Sequence, residues 1–403
     1  MSSAAYDLTS DAYFSDPYPT YALMRADDPV YQLPGTNLWY ITRYQDVAAL
    51  FRDPRFSSAR VDEFFAGVSA DLAEQAAVVH RFFSDWLNFL DPPQHTRLRK
   101  LMVRAFSARN IAALEPFVRT VTGEAISRIR ASGSCDVIGD LGFPVPSRVI
   151  SHMLGVPPAD VASFEGWSHD AVRVMAWTDD QDENVRIAYQ GVRQLEAYFR
   201  GLIAERRARP AGDLLSLLVQ ADEDGQILTE QELVSTCALL LMAGHETTTN
   251  LIGNAVIALL RHPAELARLR ADPALIETAV AEFLRYDGSS GVIGRVARQD
   301  VELGGMTLPA GDVAMGMTQS ANRDATVFAD PDRFDIARPP GHHLGLGHGP
   351  HLCLGGALAR LETKIAVGAL VAAFPRLELQ DGELPWLRSL AARGVSRLPV
   401  TAS

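Results

Sequence analysis

The stretch GLGHGPHLCLGGALARLE, which runs from Gly345 to Glu362, holds a single cysteine between two glycine-rich turns. Three glycines at alternate positions precede Cys353, and two consecutive glycines follow it closely. Glycine allows the backbone to adopt positive φ and to pass close to a flat ligand. Residues 357–362 predict the start of an amphipathic helix, whose N-terminus carries a partial positive charge. This setting favours a thiolate, the form of cysteine that binds metal, and predicts a sulfur presented to something large and planar.

The composition is typical of a globular protein with a large core, because 47% of the 403 residues are hydrophobic and 21% are charged. No Pro/Ser-rich linker, low-complexity block or internal repeat marks a boundary in the sequence. We therefore expect one domain over residues 1–403.

The net charge and the pattern of apolar residues argue against binding to nucleic acid and to membranes. A net charge of −12 argues against general nucleic-acid binding, which needs a basic surface. The N-terminus is polar and acidic, unlike a signal peptide. The most apolar segment, residues 233–260, is interrupted by His245, Glu246 and Asn250, which argues against a membrane span. We expect a cytoplasmic protein that binds neither nucleic acid nor membrane.

The three cysteines, Cys135, Cys237 and Cys353, are far apart and odd in number, which argues against disulfides in a cytoplasmic chain. We expect Cys135 and Cys237 to be small buried apolar residues. Only Cys353 has a glycine-rich setting.

A capping box at residues 229–232 opens a predicted helix that continues to Arg261, before His262-Pro263. At about 1.5 Å per residue, this helix is about 48 Å long and can cross a whole domain. Its centre, residues 243–249, contains a glycine and three successive threonines, which are poor helix formers, together with a carboxylate. Such a local conflict predicts a functional site. The alternative is a threonine-rich kink in which Glu246 is paired elsewhere.

The rest of the chain is predicted to be mostly helical. His95 and Arg99 lie one turn apart on a basic helix over residues 94–106, where they can hold an anionic group. Hairpins are predicted from residues 30–33 with 38–41 and within residues 292–320. Further helices are predicted over residues 18–26, 44–51, 111–131, 144–154, 159–174, 184–209, 264–270 and 273–286.

Some features have two interpretations. The aromatic residues of segment 61–90 either line an apolar site or form ordinary core. Trp167, Met175 and Trp177 either contact a substrate or pack inside the protein. Glu282 and Arg285, taken alone, form an i,i+3 surface ion pair that is worth well under ~1 kcal/mol.

The cysteine loop suits three chemistries unequally. A structural zinc site would draw on four nearby histidines and Cys353, but the second pair of ligands that such sites use is missing. A phosphate-binding loop needs a lysine and a glycine spacing that this loop lacks. An axial thiolate to haem iron needs one cysteine, and cationic groups must hold the two haem propionates. The candidates for the propionates are His95, Arg99, Arg295 and His351.

Over residues 16–400, the order of these motifs resembles that of the bacterial, soluble cytochromes P450, the haem-thiolate monooxygenases. The family signature Phe-Gly-x-Gly-x-His-x-Cys-x-Gly is matched by residues 346–355, with Leu346 in place of the usual Phe. The resemblance implies that Cys353 is the axial ligand of the haem iron. The haem-binding positions that it implies are His95, Arg99, Arg295, Leu346, Gly347, His351, Cys353 and Gly355.

The resemblance also implies roles for the long helix. The family motif Ala-Gly-x-Glu/Asp-Thr falls on residues 243–247, so Glu246 and Thr247 are expected to relay protons for oxygen activation. Gly244, which lacks Cβ, is expected to leave room beside the helix for oxygen and water. The implied catalytic positions are Ala243, Gly244, Glu246 and Thr247.

The fold implied by the resemblance is mainly α with small β-sheets, with haem between the long central helix and the cysteine loop. Glu282, Arg285 and Arg333 match the family's structural trio. The implied reaction inserts one oxygen atom from O2 into an organic substrate, by hydroxylation or epoxidation. The implied cofactor is haem b, and an external ferredoxin with its reductase supplies electrons. A basic patch that suits an acidic ferredoxin comprises Arg97, Lys100, Arg104, Arg360 and Lys364.

The substrate is predicted from residue size. Small and medium residues at 289–294 suggest a roomy pocket and a bulky natural-product scaffold from secondary metabolism, with a small terpene or fatty acid as the alternative. Two other classes are a non-catalytic haem-binding or recruitment module and a peroxide-driven haem enzyme. The retained Cys353 and Glu246–Thr247 pair argue against both, and we expect a monomer. The implied substrate-contact segments are residues 60–90, 167–180, 240–248, 289–294 and 390–395.

Overall fold

The longest helix described begins where the sequence predicts it. In this computed structural model, which describes residues 6–175, 180–223 and 226–403, the Glu232 N–H donates to Thr229 Oγ1 at 3.2 Å. The Thr229 N–H donates in turn to the Glu232 carboxylate at 2.8 Å. These reciprocal bonds form the predicted capping box and satisfy backbone donors at the start of a 32-residue helix, Glu230–Arg261.

Runs of consecutive helices are separated by short strands. The α-helices described are α1 (Asp11–Ser15), α2 (Tyr18–Asp27), α3 (Tyr44–Leu50), α4 (Ala73–Ser84), α5 (Gln94–Ala105), α6 (Ala108–Ser132), α7 (Pro144–Met153), α8 (Val161–Ala171), α9 (Gln181–Ala208), α10 (Leu214–Val219), α11 (Glu230–Arg261), α12 (Pro263–Ala271), α13 (Ile276–Asp287), α14 (Thr318–Ala321) and α15 (Gly356–Ala373). The strands described are β1 (Val30–Gln32), β2 (Leu38–Ile41), β3 (Phe56–Ser57), β4 (Ser134–Asp136), β5 (Asp222–Glu223), β6 (Gln226–Ile227), β7 (Val292–Ala297), β8 (Val301–Leu303), β9 (Met306–Leu308), β10 (Val313–Met317), β11 (Leu377–Leu379) and β12 (Pro399–Ala402).

These elements group into two units. Unit 1 contains the chain up to Ser57, together with residues 114–146 and 246–403. Unit 2 contains residues 58–113 and 147–245. Helix α11 contributes to both, because the division falls between His245 and Glu246.

Unit 1 contains three of the small sheets. Strands β1, β2, β10, β7 and β3 form a five-stranded sheet in that order, in which β2 and β10 are parallel and the other neighbours are antiparallel. Strands β11, β12 and β4 form a second sheet, and β8 and β9 form a hairpin. Trp39, Ile41, Phe51 and Leu344 are buried in one core cluster. The cysteine stretch therefore begins directly after a residue of that core.

Unit 2 is organised around α9. Val192, Phe199 and Ile203 of this helix are fully buried. The ring of Phe164, from α8, meets the ring of Tyr198 edge-on with 4.5 Å between centroids. Because α9 presents a stripe of apolar residues from Val185 to Ile203, its neighbours can bury their own apolar faces against it.

Four of the six aromatic residues of segment 61–90 form core, whereas Phe64 and Phe65 are half-buried. Phe82, Phe83, Trp86 and Phe89 are all buried. The rings of Phe83 and Trp86 lie 4.6 Å apart, and Trp86 also stacks on Phe89. Trp167 packs in the same unit.

The predicted elements are confirmed for most of the chain. Strands β1 and β2 form the hairpin expected from residues 30–33 and 38–41, and a Gly304-Gly305 turn with positive φ joins β8 to β9. The predicted helices 159–174 and 273–286 are present as α8 and α13, each flanked by a short 3-10 turn. A fold that is mainly α with small β-sheets is thereby confirmed. In the described part of the chain, no helix is both long enough and apolar enough to span a bilayer.

Glu282 and Arg285 do not form the weak surface pair expected from their spacing alone. Their side chains are 1% and 3% exposed, and Arg285 Nε donates to Glu282 Oε2 at 2.7 Å. The other N–H groups of Arg285 also donate to the carbonyls of Asn322, Pro331 and Arg333. The buried pair therefore fixes α13 to the irregular segment that precedes the cysteine loop.

The third member of this cluster is Arg338, and the assignment of Arg333 to that role is wrong. Arg338 Nε lies 3.3 Å from the Glu282 carboxylate. The Arg333 side chain is 63% exposed and pairs with Asp335 at 3.5 Å. Arg333 contributes its backbone carbonyl to Arg285, rather than its guanidinium to Glu282.

Candidate functional site

The cysteine loop is closed by a backbone hydrogen bond. The Cys353 N–H donates to the Leu346 carbonyl at 2.9 Å. Gly347 and Gly349 have φ of 74° and 70°, a region that residues with a Cβ rarely adopt. These glycines therefore allow the chain to turn back so that Cys353 lies beside Leu346.

Leu346, which stands where the related signature has Phe, packs beside the cysteine. A Cβ at Gly356 would lie 3.1 Å from Leu346 Cδ1 and 3.9 Å from Cys353 Cβ. A Cβ at Gly355 would meet no described atom within 4 Å. The backbone just after the cysteine therefore leaves space for a flat group to approach it.

Cys353 is accessible, whereas the other two thiols are buried. Burial raises the pKa of the Cys135 thiol to about 12, and the nearby carboxylates of Asp140 and Asp136 add to that rise. Burial raises the pKa of Cys237 as well. Cys353 instead precedes the N-cap of α15, Gly355, where no side chain caps the helix. The helix N-terminus therefore favours a thiolate at Cys353.

This donor set fits haem iron better than zinc. Within the described residues, no group of three or more His, Cys, Asp or Glu side chains comes together to hold a metal ion. An axial haem ligand requires only one accessible thiolate. Leu352, beside Cys353, is 47% exposed and adds an apolar surface next to the sulfur. The residues at this loop therefore fit a haem bound through Cys353.

The candidate propionate partners are divided between the two units. In unit 2, His95 is 2% exposed on α5, and Arg99 lies one turn later and is half-buried. In unit 1, Arg295 is buried on β7, where its Nη1 donates to the Gly294 carbonyl at 2.8 Å. His351 is half-buried at the end of the 3-10 turn Gly349–His351.

Within unit 1, Arg295 and the cysteine loop share Phe51 as a neighbour. The Arg295 guanidinium lies 5.4 Å from the centroid of the Phe51 ring. A Cβ at Gly349 would lie only 2.7 Å from the Phe51 carbonyl oxygen, so this glycine permits the close approach of the loop. The structure thus brings Arg295 and the glycine-rich loop to the same residue.

The centre of α11 combines an open face with a buried one. Ala243, Glu246 and Thr247 are exposed, although long stretches of the helix on either side are buried. Residues at these spacings lie on one face of a helix. Thr248 and Thr249 are buried, and Thr249 Oγ1 donates to the Gly142 carbonyl at 3.0 Å. Only the first of the three threonines is therefore exposed.

Gly244 has a packing role that differs from the expected one. A Cβ at this position would lie 2.8 Å from Ile150 Cγ1, a side chain of α7. The position that a Cβ would take on Gly244 therefore lies against Ile150, and the expected room for oxygen and water stays a prediction. The glycine lets α7 approach α11 closely in unit 2.

His245, the variable residue of the helix motif, lines a separate small cavity in unit 2. The cavity has about 10 Å³ of free space, the size of one water molecule, and is also lined by Ser147, Ser151, Phe164 and Ser168. The imidazole Nδ1–H donates to the Leu241 carbonyl at 2.7 Å, because a carbonyl can only accept.

Sequence reasoning missed Glu362, a buried acid on α15. It is fully buried, and among the described residues neither of its carboxyl oxygens has a hydrogen-bond partner at ordinary geometry. Burial raises the pKa of Glu362 well above its usual range, although the nearby Thr248 hydroxyl opposes that rise. The available signal was a carboxylate on the apolar face of the helix that follows the cysteine.

Two of the predicted substrate-contact segments lie against each other. The Gly291 N–H donates to the Ala391 carbonyl at 2.9 Å, and Ser290 forms a β-bridge with Ala392. A Cβ at Gly291 would lie 2.3 Å from the Leu390 carbonyl oxygen, so this small residue permits tight packing. Trp177, in the predicted segment 167–180, lies outside the described residues.

The predicted basic patch is partly neutralised. The Arg97 guanidinium pairs with Glu232 in unit 2. Lys364 Nζ lies 2.9 Å from Glu277 in unit 1. These two cations are therefore weaker contributors to a positive surface than the sequence alone suggests.

Comparison with known proteins finds relatives that match almost the whole chain. A family model described as cytochrome P450 matches residues 183–399. The chain is 41% identical over 403 residues to a vitamin D(3) 25-hydroxylase of Pseudonocardia autotrophica. This match covers 98% of this chain and 96% of the relative. It is 39% identical over 398 residues to the cytochrome P450 monooxygenase PikC of Streptomyces venezuelae, with coverage of 96% and 91%.

Solved structures give the same result for the fold. The structure of P450BioI in complex with an acyl carrier protein ligated to hexadec-9Z-enoic acid has a TM-score of 0.89 to this chain at 35% identity. That match covers 97% of this chain and 99% of the other. The expected fold is thereby confirmed, and the chain belongs to the cytochrome P450 family of haem-dependent monooxygenases.

Proposed function

We propose that the chain is a haem b-dependent monooxygenase in which Cys353 is the thiolate ligand of the iron. The observation that carries the proposal is the accessible Cys353 beside the uncapped N-terminus of α15, in a chain whose other thiols are buried. Residues 1–403 act in this proposal as one cytochrome P450 domain. Relatives that match almost the whole chain support that extent.

The chain's own residues hold the cofactor. When bound, haem would activate O2. The overall reaction consumes two electrons and two protons, and it incorporates one oxygen atom into the substrate and releases the other as water. Cys353 provides the thiolate, and Gly347 and Gly355 let the backbone approach a flat group. Leu346 packs beside the sulfur. Positive charge and N–H donors for the propionates come from His95, Arg99, Arg295 and His351.

Proton delivery belongs to the open face of α11. Glu246 and Thr247 are adjacent and both exposed, so the carboxyl can exchange protons with water and the hydroxyl can pass a proton onward. Ala243, one turn before Thr247, keeps this face small and apolar. Gly244 supports the face indirectly, because it lets Ile150 pack against the helix.

The substrate in this proposal is a bulky natural-product scaffold that is hydroxylated or epoxidised in secondary metabolism. The relative named as a vitamin D(3) 25-hydroxylase supports a large scaffold. The fatty acyl carrier complex of P450BioI supports the alternative of a fatty acid. Optical titration with members of both classes separates them, because only a true substrate perturbs the haem spectrum at low concentration.

Electrons come from a ferredoxin and its reductase, since the sequence has no flavin or iron–sulfur motif. Lys100 of the predicted basic patch is exposed on α5, and its charge would attract an acidic partner. In this proposal the protein is a cytoplasmic monomer. Reduction rates that fall as ionic strength rises would support the electrostatic docking.

The first experiment tests the ligand. The absorption spectrum of the reduced carbon monoxide complex reports whether a thiolate is bound to the haem iron. We expect the thiolate signature in the wild-type protein and in Cys135→Ser, and its loss in Cys353→Ser. A thiolate signature that survived in Cys353→Ser would refute the assignment.

The second experiment tests the proton relay. In Thr247→Ala, we expect less product per electron consumed and more hydrogen peroxide, because positioned proton transfer contributes roughly 10²–10⁴-fold. Thr249→Ala is the matched control, since its hydroxyl is bonded to the Gly142 carbonyl and does not face the open side. Equal coupling in wild type and Thr247→Ala would contradict the relay.

A further inference from the structure

The Arg360 guanidinium is bonded to an imidazole instead of a carboxylate. Arg360 lies near the start of α15, and its Nη2 donates to His343 Nε2 at 3.0 Å. Across the described parts of the chain, Arg360 has no ion pair with an Asp or Glu. Buried arginines elsewhere in unit 1, such as Arg285 and Arg393, do pair with carboxylates. The positive charge of Arg360 is therefore left without a neutralising partner.

Helix geometry directs this charge towards the cysteine. Side chains on an α-helix tilt towards its N-terminus, so the Arg360 side chain runs back towards the loop that carries Cys353. Its contact with His343, which precedes the loop, fixes that direction. Burial lowers the pKa of the Arg360 guanidinium, and the nearby Cys353 opposes this change. The guanidinium therefore extends towards the end of α15 that follows Cys353.

His343 is firmly held and carries no charge of its own. The next residue, Leu344, is buried, and its N–H donates to Asn322 Oδ1 at 2.7 Å. The imidazole lines a small cavity together with Glu282 and Arg285. Burial lowers the pKa of His343 to about 4, and the positive charges of Arg360 and Arg285 contribute. At neutral pH, the imidazole is therefore a neutral group.

A neutral imidazole has only one acceptor nitrogen, and two donors compete for this ring. The Gly345 N–H lies 3.2 Å from His343 Nδ1, and Arg360 Nη2 lies 3.0 Å from Nε2. The guanidinium bond is shorter and charge-assisted, so it is the stronger of the two. Nε2 therefore accepts from Arg360, and the single proton stays on Nδ1.

We propose that His343 is a positioning residue that holds the Arg360 guanidinium beside Cys353, where its positive charge stabilises the thiolate and the reduced state of the iron. This inference rests on the proposed assignment of Cys353 as the haem ligand. A neutral acceptor suits this role, because a carboxylate at position 343 would neutralise the charge. An apolar side chain there would release the guanidinium towards solvent.

The midpoint reduction potential of the purified holoenzyme tests the proposal without a redox partner or turnover. We expect a more negative potential in Arg360→Leu and His343→Leu, equivalent to a roughly tenfold smaller ratio of reduced to oxidised iron at a fixed potential. His343→Gln keeps a neutral acceptor, so its potential should stay near that of the wild type. Lys364→Leu is the matched control on the same helix, because that cation is already paired with Glu277.

The outcomes separate the two proposals. If the reduced carbon monoxide complex of the wild type lacked the thiolate signature, the assignment of Cys353 would fail. If the signature were present but His343→Leu kept the wild-type potential, the positioning role would be overturned. The same conclusion would follow if Arg360→Leu had no effect, or if His343→Gln behaved like His343→Leu. Should His343→Leu fail to fold, Arg360→Leu and His343→Gln still decide the outcome.

Discussion

Two glutamates of unit 1, Glu282 and Glu362, are almost completely buried, but they differ in their cationic and hydrogen-bond partners. Glu282 forms ion pairs with Arg285 and Arg338, and it accepts the Asp335 N–H at 3.1 Å. In the described residues, Glu362 has neither a cationic partner nor a hydrogen bond of ordinary geometry. Glu282 is therefore fully paired, whereas burial raises the pKa of the unpaired Glu362 well above its usual range.

This difference separates a structural acid from one that holds a proton. An ionised group can remain buried only if it is paired and hydrogen-bonded, as Glu282 is. Without such partners, Glu362 retains its proton, and burial raises its pKa. The same substitution, Glu to Gln, should therefore have opposite effects on stability at the two positions.

The largest expected effect is that of Glu282→Gln. The amide leaves Arg285 and Arg338 buried without their counter-charge, so the free energy of unfolding should fall by about 3–5 kcal/mol. Denaturant unfolding of the haem-loaded protein, followed by haem absorbance, measures this change. A loss below about 1 kcal/mol would show that the cluster is not a buried ionic structure.

The second prediction has the opposite sign. Because folding raises the pKa of Glu362, its stabilising contribution is complete below the ordinary value of 4.5 and is lost as pH rises towards the folded value. At pH values at or below 4.5, Glu362→Gln should change the free energy of unfolding little. Above that pH the variant should become the more stable form, by roughly 1.4 kcal/mol per pH unit for as long as folded Glu362 keeps its proton. Unfolding curves of both proteins across this range measure the divergence, and parallel curves would contradict a neutral Glu362.

The smallest effects compare two arginines of the same segment. Arg338→Ala removes a bond to Glu282 and donors to the Ala329 and Asp330 carbonyls, and should cost about 1–2 kcal/mol. Arg333→Ala is the matched control and should cost at most about 0.5 kcal/mol, because its side chain is mostly exposed. Thermal unfolding of both variants decides the assignment, and a greater loss for Arg333→Ala would reverse it.

Features that depend on local sequence were predicted well. The capping box at Thr229 and Glu232 uses residues three positions apart, so its bonds follow from the helix start itself. The turn of the cysteine loop similarly follows from glycines at positions that require positive φ. The division between buried and accessible thiols was also predictable, because only Cys353 lacks an apolar helical or strand setting.

Features that depend on distant residues were not predictable in this way. Gly244 also has a packing reason in Ile150, which approaches from another helix and which its local motif does not reveal. The exchange of Arg333 for Arg338 depends on how an irregular segment winds around Glu282. The neutral state of Glu362 depends on the absence of nearby cations in three dimensions, which no spacing along α15 reveals.

The contacts of Arg285 also have a consequence for proteolysis. The Arg285 guanidinium donates hydrogen bonds to three carbonyls, those of Asn322, Pro331 and Arg333. These carbonyls lie in a stretch with almost no regular secondary structure. Backbone without a ladder of its own depends on such side-chain donors to stay ordered. Local opening of this one cluster would expose the whole stretch to cleavage, just before the loop that presents the sulfur. The rate at which a protease cleaves that stretch therefore reports how firmly the segment before the cysteine loop is held in place.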